Sequence, residues 1–210
     1  MKRTLMNRKF RYSYTNVTLK ILLVNILVFM LTQLNSRLYY YLALVPSFII
    51  YEKWWWQIVT YMFVHADIGH ILFNMLALFI FGSSVERQIG SKEFLLFYLL
   101  TGALSGLFSF FAYYLSGTNV ILVGASGAIY ALLFAFAVLY PHAIIFVFGI
   151  LPLRAPILIA VYAAIEIYNQ LFSRGGNVAH LTHLAGFAVS YLYLRLRLRL
   201  RPMDELRRGR

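Results

Sequence analysis

The chain contains no cysteine. That excludes disulfides, thiolate nucleophiles and thiolate metal sites, and it leaves the redox compartment undetermined. Charge is equally scarce: 12% of the 210 residues are Asp, Glu, Lys or Arg, against about a quarter in soluble domains. A surface so poor in charge cannot be solvated all round. What fills the chain instead is apolar: 61% of residues are hydrophobic and the mean hydropathy is +0.73. Repeated apolar runs of this length have nowhere to be buried in a soluble domain of this size, so lipid must cover much of the exterior.

The acidic side is thin as well, with 7 Asp and Glu against 19 Lys and Arg, a net charge of +12. Such an excess can indicate nucleic acid, but its placement does not. Lys2, Arg3, Arg8, Lys9, Arg11 and Lys20 precede or open the first apolar run, and Arg195, Arg197, Arg199, Arg201, Arg207, Arg208 and Arg210 close the last. Flanking basic residues set orientation at a bilayer and pair with anionic headgroups. No separate fold for reading bases is present. The partner expected from this charge is therefore a bilayer with anionic headgroups, not nucleic acid.

About 20 mostly apolar residues span the hydrocarbon core as a helix. Six segments qualify as helices, at about 18–35, 67–85, 93–115, 125–140, 156–172 and 178–197. The chain divides into a basic segment 1–17, a membrane domain 18–198 and a basic tail 199–210. The first helix is expected to be retained, because no small-x-small cleavage site follows Ile21–Leu31. Residues 36–66, with Trp54-Trp55-Trp56, are expected to form a loop lying partly in the headgroups. Ile144–Pro156 is apolar but interrupted by Gly149, Pro152 and Pro156, and reads as an interfacial segment. Residues 173–177, holding Gly175 and Gly176, read as a flexible loop. With both termini cytoplasmic, six spans put 16 basic residues inside and 3, Arg37, Lys53 and Arg174, outside. The predicted fold class is an all-α membrane protein of six spans with both ends in the cytoplasm.

Polar residues at membrane depth are expensive and mark function. One group is Gly124-Ala125-Ser126-Gly127, opening the fourth helix. Serine in a membrane helix commonly bonds a carbonyl one turn back. Here glycines on either side allow a sharp turn and close approach, and a helix N-terminus offers unpaired N–H groups to a developing oxyanion. The second is His180-Leu181-Thr182-His183-Leu184-Ala185-Gly186 on the sixth helix. A serine needs a base, and histidine is the usual one. His183, Gly186 and Ser190 share a face, and Gly127 and Ala131 offer a matching small seam. His180, three residues before His183, also permits a metal reading. The third is His65-Ala66-Asp67 with His70 and Asn74, the last two at i and i+4 and both hydrogen-bond donors. Asp67 stands where a helix N-cap belongs, and His65 is placed to brace the loop. Gly102 and Gly106 on the third helix read as a packing seam.

Three motifs in this order resemble the rhomboid family of intramembrane serine proteases: His70-Ile-Leu-Phe-Asn74, Gly124-Ala-Ser126-Gly127 and Ala179-His180-Leu-Thr-His183-Leu-Ala-Gly186. The resemblance covers about residues 17–198. It implies a six-helix rhomboid-like bundle and an intramembrane serine endopeptidase. In that reading Ser126 is the nucleophile and His183 the base, and His70, Asn74 and the Ser126 amide form the oxyanion hole. Tyr130 packs on the imidazole, and Gly124, Gly127 and Gly186 support the site. The family works with a Ser–His dyad and no cofactor or metal, and acts on transmembrane-protein substrates. Neither Glu166 nor Asp67 is expected to orient His183, which leaves Tyr130 to hold the ring. Val85-Glu86-Arg87 with Gly90 matches the family's structural Glu. Gln57 follows Trp56 where the family often has Arg, and Gln cannot ion-pair as Arg does.

The resemblance also implies a site on the extracytoplasmic side of the cell membrane, with substrate entering beside the fifth helix and Gly175 and Gly176 hinging a lid. Rival readings are a zinc protease, disfavoured because H-E-x-x-H is absent, an aspartyl dyad, which lacks a second Asp, a His-lined transporter or metal- or haem-binding protein, and a rhomboid-like pseudoprotease that only binds helices.

Overall fold

A computed structural model describes residues 10–147, 149–172 and 178–208. The helices are α1 (Val17–Leu34), α2 (Ser36–Leu42), α3 (Pro46–Tyr51), α4 (Gln57–Thr60), α5 (Ile68–Ala77), α6 (Ser83–Ile89), α7 (Ser91–Leu115), α8 (Ser126–Leu139), α9 (Ala155–Phe172), α10 (Val178–Leu196) and α11 (Pro202–Arg208). A π-helical turn, Leu78–Gly82, joins α5 to α6, so that Ile68–Ile89 runs as one apolar rod. Among the described residues, four helices are long and apolar enough to cross a membrane: Val17–Leu34, Ile68–Ile89, Ser91–Leu115 and Ala155–Phe172, with Ser126–Leu139 a shorter apolar helix. The large side chains they leave uncovered, among them Leu23, Leu27, Phe73, Phe108, Phe111 and Ile165, form the surface that lipid covers.

Between apolar helices in lipid there is no hydrophobic drive, so small residues and polar bonds decide the packing. α10 lies against α7, α8 and α9. Its Ser190 hydroxyl donates to the Ala131 carbonyl of α8 at 2.8 Å, and Thr182 meets Ser109 of α7 at 2.6 Å. At the other end of α10, Arg197 holds Glu93 of α7 with Nε at 2.5 Å and Nη2 at 3.0 Å, a two-point bond that fixes both position and angle. The N-terminus of α1 has no side-chain cap of its own. Glu86 supplies one from α6, accepting from the Val17 and Thr18 amides at 2.7 and 2.9 Å, which matches the structural role expected of it.

The 36–66 stretch is more deeply built in than a headgroup loop. Tyr61, Met62, Val64 and His65 are fully buried or nearly so. The reason is the Gly102/Gly106 seam: a β-carbon on Gly102 would meet Met62 Cε at 2.5 Å, and one on Gly106 would meet Tyr61 Cε1 at 2.4 Å. The Tyr61 hydroxyl donates to the Gly102 carbonyl at 2.8 Å. Gln57 replaces an ion pair with amide bonds, accepting from the Val45 amide at 3.1 Å and donating to the Tyr40 carbonyl at 2.9 Å.

One segment departs from the all-α expectation. The interrupted stretch after α8 is a β-hairpin, β1 (Ile144–Val147) against β2 (Leu151–Arg154), antiparallel with Ile144 opposite Arg154. Gly149, at φ +74°, makes its turn, and the β-branched and aromatic run Ile144-Ile145-Phe146-Val147 favours the strand over a helix. Ile144, Phe146, Ile150 and Leu151 stay exposed, as an interfacial segment requires. The basic C-terminal tail is packed: α11 docks on α8, with Leu200 and Pro202 buried. The 173–177 loop and its glycines lie outside the described residues.

Candidate active site

Ser126 stands at the first position of α8. The segment that delivers it is pinned to the 36–66 stretch: Leu44 and Leu122 exchange backbone bonds at 3.0 and 2.9 Å, and the Gly124 amide donates to the Tyr61 carbonyl at 3.0 Å. Gly124 has φ +115°, and a β-carbon there would sit 2.5 Å from His70 Nε2. Glycine is required twice over at this position, for the turn and for the histidine that lies on it. The first bond inside α8 is donated by Ile129 to Ala125, so the amides of Ser126, Gly127 and Ala128 have no acceptor within the helix.

The α8–α10 seam brings the second motif to the first. A β-carbon on Gly186 would lie 2.3 Å from the Gly127 carbonyl oxygen and 3.2 Å from the Ala131 nitrogen. One turn earlier on α10, His183 Nε2 comes within 2.8 Å of Ser126 Oγ. Tyr130 stacks on the imidazole, with ring centroids 4.1 Å apart and 4° between planes. His70, Asn74, Ser126, Tyr130 and His183 line one cavity of about 370 Å³. Asn74 donates one amide hydrogen to the His70 carbonyl at 2.9 Å, which leaves the other for a ligand. Asp67 caps α5 by accepting from the His70 amide at 2.8 Å, and the buried His65 ring packs edge-on against His70 at 5.1 Å. A larger cavity, about 600 Å³, lies between the end of α8 and α11, away from this chemistry.

Glu166, set aside on sequence grounds, reaches the site from α9. Its Oε1 stands 3.0 Å from His183 Nδ1, off the line of an ideal hydrogen bond, and accepts from the Tyr130 hydroxyl. Its Oε2 lies 2.5 Å from His180 Nδ1. The carboxylate is buried, at 4% exposure, and donors from Tyr130 of α8 and His180 of α10 offset its desolvation. Tyr130 therefore does not hold the ring alone. The missed signal was the one acidic residue in a mostly apolar helix, and what hid it was helix orientation, which spacing along the chain does not reveal. Glu166, His180 and His183 also place their ligand atoms within 4.8 Å of one another, a donor set that fits a divalent cation such as zinc.

A family model described as "Rhomboid domain" matches residues 52–200, a stretch that contains His70, Asn74, Ser126 and His183. The chain belongs to the rhomboid family. It is 31% identical to YdcA of Bacillus subtilis (strain 168) over 141 residues, 66% of this chain and 67% of that protein. It is 35% identical to the rhomboid protease GluP of the same organism over 128 residues, 60% of this chain and 24% of GluP. Against the mitochondrial rhomboid protein 1 of Saccharomyces cerevisiae the figures are 29% over 191 residues, 88% of this chain and 54% of that protein. The chain thus spans about a quarter of GluP and about half of the yeast rhomboid. As a rhomboid with several membrane-length helices, the protein is an integral membrane protein.

Proposed function

We propose that this rhomboid is an intramembrane serine endopeptidase that cleaves transmembrane-protein substrates through Ser126 and His183. The observation that carries the reading is the 2.8 Å approach of His183 Nε2 to Ser126 Oγ beside a cavity lined by hydrogen-bond donors. Ser126 attacks the scissile carbonyl while its proton passes to His183 Nε2. The oxyanion meets the Ser126 amide, His70 and the second amide hydrogen of Asn74. His183 then gives the proton to the leaving amine. Water, deprotonated by the same nitrogen, hydrolyses the acyl-enzyme and restores the serine.

A substrate helix has all its amides internally bonded and must unwind before attack. Helices carrying small or helix-breaking residues near the outer membrane face are the expected substrates, admitted beside α9. The topology that fits the charge distribution has six spans, α10 and the shorter α8 included, with both termini in the cytoplasm and the Ser126 end of α8 facing the opposite side. The cell membrane is the proposed location.

A fluorophosphonate probe tests the assignment. Labelling of the purified protein that disappears in both Ser126→Ala and His183→Ala is expected; labelling unchanged in Ser126→Ala sinks it. A second reading, a metal-binding rhomboid without peptidase activity, has one observation behind it, the Glu166, His180 and His183 donor set. Stoichiometric metal in the purified protein, lost in His180→Ala, together with no labelling, would decide for it.

A further inference from the structure

Glu166 is a buried carboxylate within the membrane-length helix α9, held by groups from two neighbouring helices. A carboxylate at this depth is retained only where it is paired and has work to do. Its partners are specific: the Tyr130 hydroxyl and His183 Nδ1 on one oxygen, His180 Nδ1 on the other. All come from the helices that carry the reacting groups.

We propose that Glu166 is a positioning residue for the hydrolysis, the third member of a Ser126–His183–Glu166 relay. The inference rests on the peptidase reading above. The carboxylate accepts hydrogen bonds and cannot donate them when ionised. Facing it, Nδ1 of His183 carries the ring hydrogen, and Nε2 is left with its lone pair toward the Ser126 hydroxyl. That is the tautomer general-base attack needs. When the Ser126 proton moves to Nε2 the ring becomes cationic, and the carboxylate 3.0 Å from Nδ1 opposes that charge across a site of low dielectric. The proton leaves on the amine and Glu166 stays ionised throughout.

His180 and Tyr130 act on the carboxylate rather than on substrate. His180 holds Oε2, so that Oε1 is presented to His183. Tyr130 both stacks on the imidazole and binds Oε1, tying ring and carboxylate into one unit. The arrangement departs from a two-residue dyad because the ring is held from its face by Tyr130 and from its Nδ1 edge by an anion. Full removal of the acid in soluble triads lowers turnover about 10⁴-fold. With Tyr130 still stacked, a smaller loss is expected here.

The test compares wild type, Glu166→Gln, Glu166→Asp, Ser126→Ala and His183→Ala, purified in detergent. It reads fluorophosphonate labelling, cleavage of a single-helix membrane substrate and thermal unfolding. Glu166→Gln should lower kcat by roughly 10- to 100-fold, scaled down from the soluble triads, with KM within about twofold. Glu166→Asp, which keeps the charge one methylene shorter, should recover a measurable part of kcat.

Wild-type kcat in Glu166→Gln, with Ser126→Ala and His183→Ala inactive, overturns the relay and leaves the peptidase standing. Equal losses in Gln and Asp variants that track a lowered melting temperature assign Glu166 a purely structural role and also overturn it. Stoichiometric zinc that disappears in Glu166→Gln makes the carboxylate a metal ligand instead. Unlabelled wild type overturns the peptidase reading and the relay with it.

Discussion

Gly186 of α10 faces Gly127 of α8 with no room for a methyl group, since a β-carbon on Gly186 would stand 2.3 Å from the Gly127 carbonyl oxygen. The atom in the way is backbone, so it cannot rotate aside. Gly186→Ala must therefore push the two helices apart, and His183, one turn away, moves with α10. Overpacking of this kind costs about 1–3 kcal/mol. The effect on chemistry should be larger than the effect on folding, because misplacing a base by about 1 Å can cost on the order of 10²-fold. The expected result is a folded, detergent-stable protein with labelling at Ser126 reduced by about two orders of magnitude. Wild-type labelling rates in Gly186→Ala would show that the seam does not set the Ser126–His183 distance.

That seam is legible in the sequence, because Gly186 with Ser190 and Gly127 with Ala131 are small residues at helical spacing on two apolar segments. The same spacing logic found His70 with Asn74 and the Asp67 cap, and the helices began and ended within a few residues of where apolar runs stop. Glu166 was not legible in this way. Its partners lie on other helices, and which face α9 turns inward depends on packing that a nearly uniform apolar helix does not encode. The hairpin at Ile144–Arg154 was hidden for a related reason: a short apolar run with Gly149 and two prolines excludes a spanning helix without choosing among the alternatives.

Asn74 offers a kinetic test of the proposed oxyanion hole. One of its two amide hydrogens is already committed to the His70 carbonyl, so α5 holds the side chain in place before substrate arrives. Asn74→Ala removes the donor and its orientation together. Loss of one such donor lowers kcat by about 10²–10³-fold, with KM little affected, since the interaction strengthens only as the carbonyl oxygen becomes charged. Steady-state cleavage of a membrane-helix substrate measures both constants. A raised KM at constant kcat would place Asn74 in ground-state binding instead.

Glu86 should matter for stability and not for chemistry. Its carboxylate accepts from two backbone amides at the start of α1, from Thr18 Oγ1 at 2.7 Å and from Ser91 Oγ at 2.5 Å. The residue is fully buried. Glu86→Ala orphans those donors, and the helix end loses the cap that Asn16, in a left-handed conformation, does not provide. A cost of about 2–4 kcal/mol is expected from unsatisfied buried donors and the lost cap. Thermal unfolding in detergent should show a clear drop in Tm, while the fraction that remains folded labels Ser126 at the wild-type rate. Loss of labelling without loss of Tm would contradict this division.

His65 gives the fold a pH dependence of predictable sign. It lies between the short helices and α5, outside the membrane-length segments, and burial holds its imidazole down at about 4 from an ordinary 6.5. Desolvation is the largest cause and the neighbouring His70 adds to it, while the nearby Phe63 backbone and the charge of Asp67 act the other way. The folded state therefore prefers the neutral ring, and the unfolded chain takes up a proton first as pH falls. The contribution is intact above pH 6.5 and is lost progressively between 6.5 and about 4, at up to about 1.4 kcal/mol per pH unit. His65→Gln cannot titrate. It should be less stable than wild type at pH 7.5, because the ring packs against His70, yet its melting temperature should fall less steeply between pH 6.5 and 4.5. Parallel slopes for the two proteins across that window would mean that the buried imidazole is not the group being protonated on unfolding.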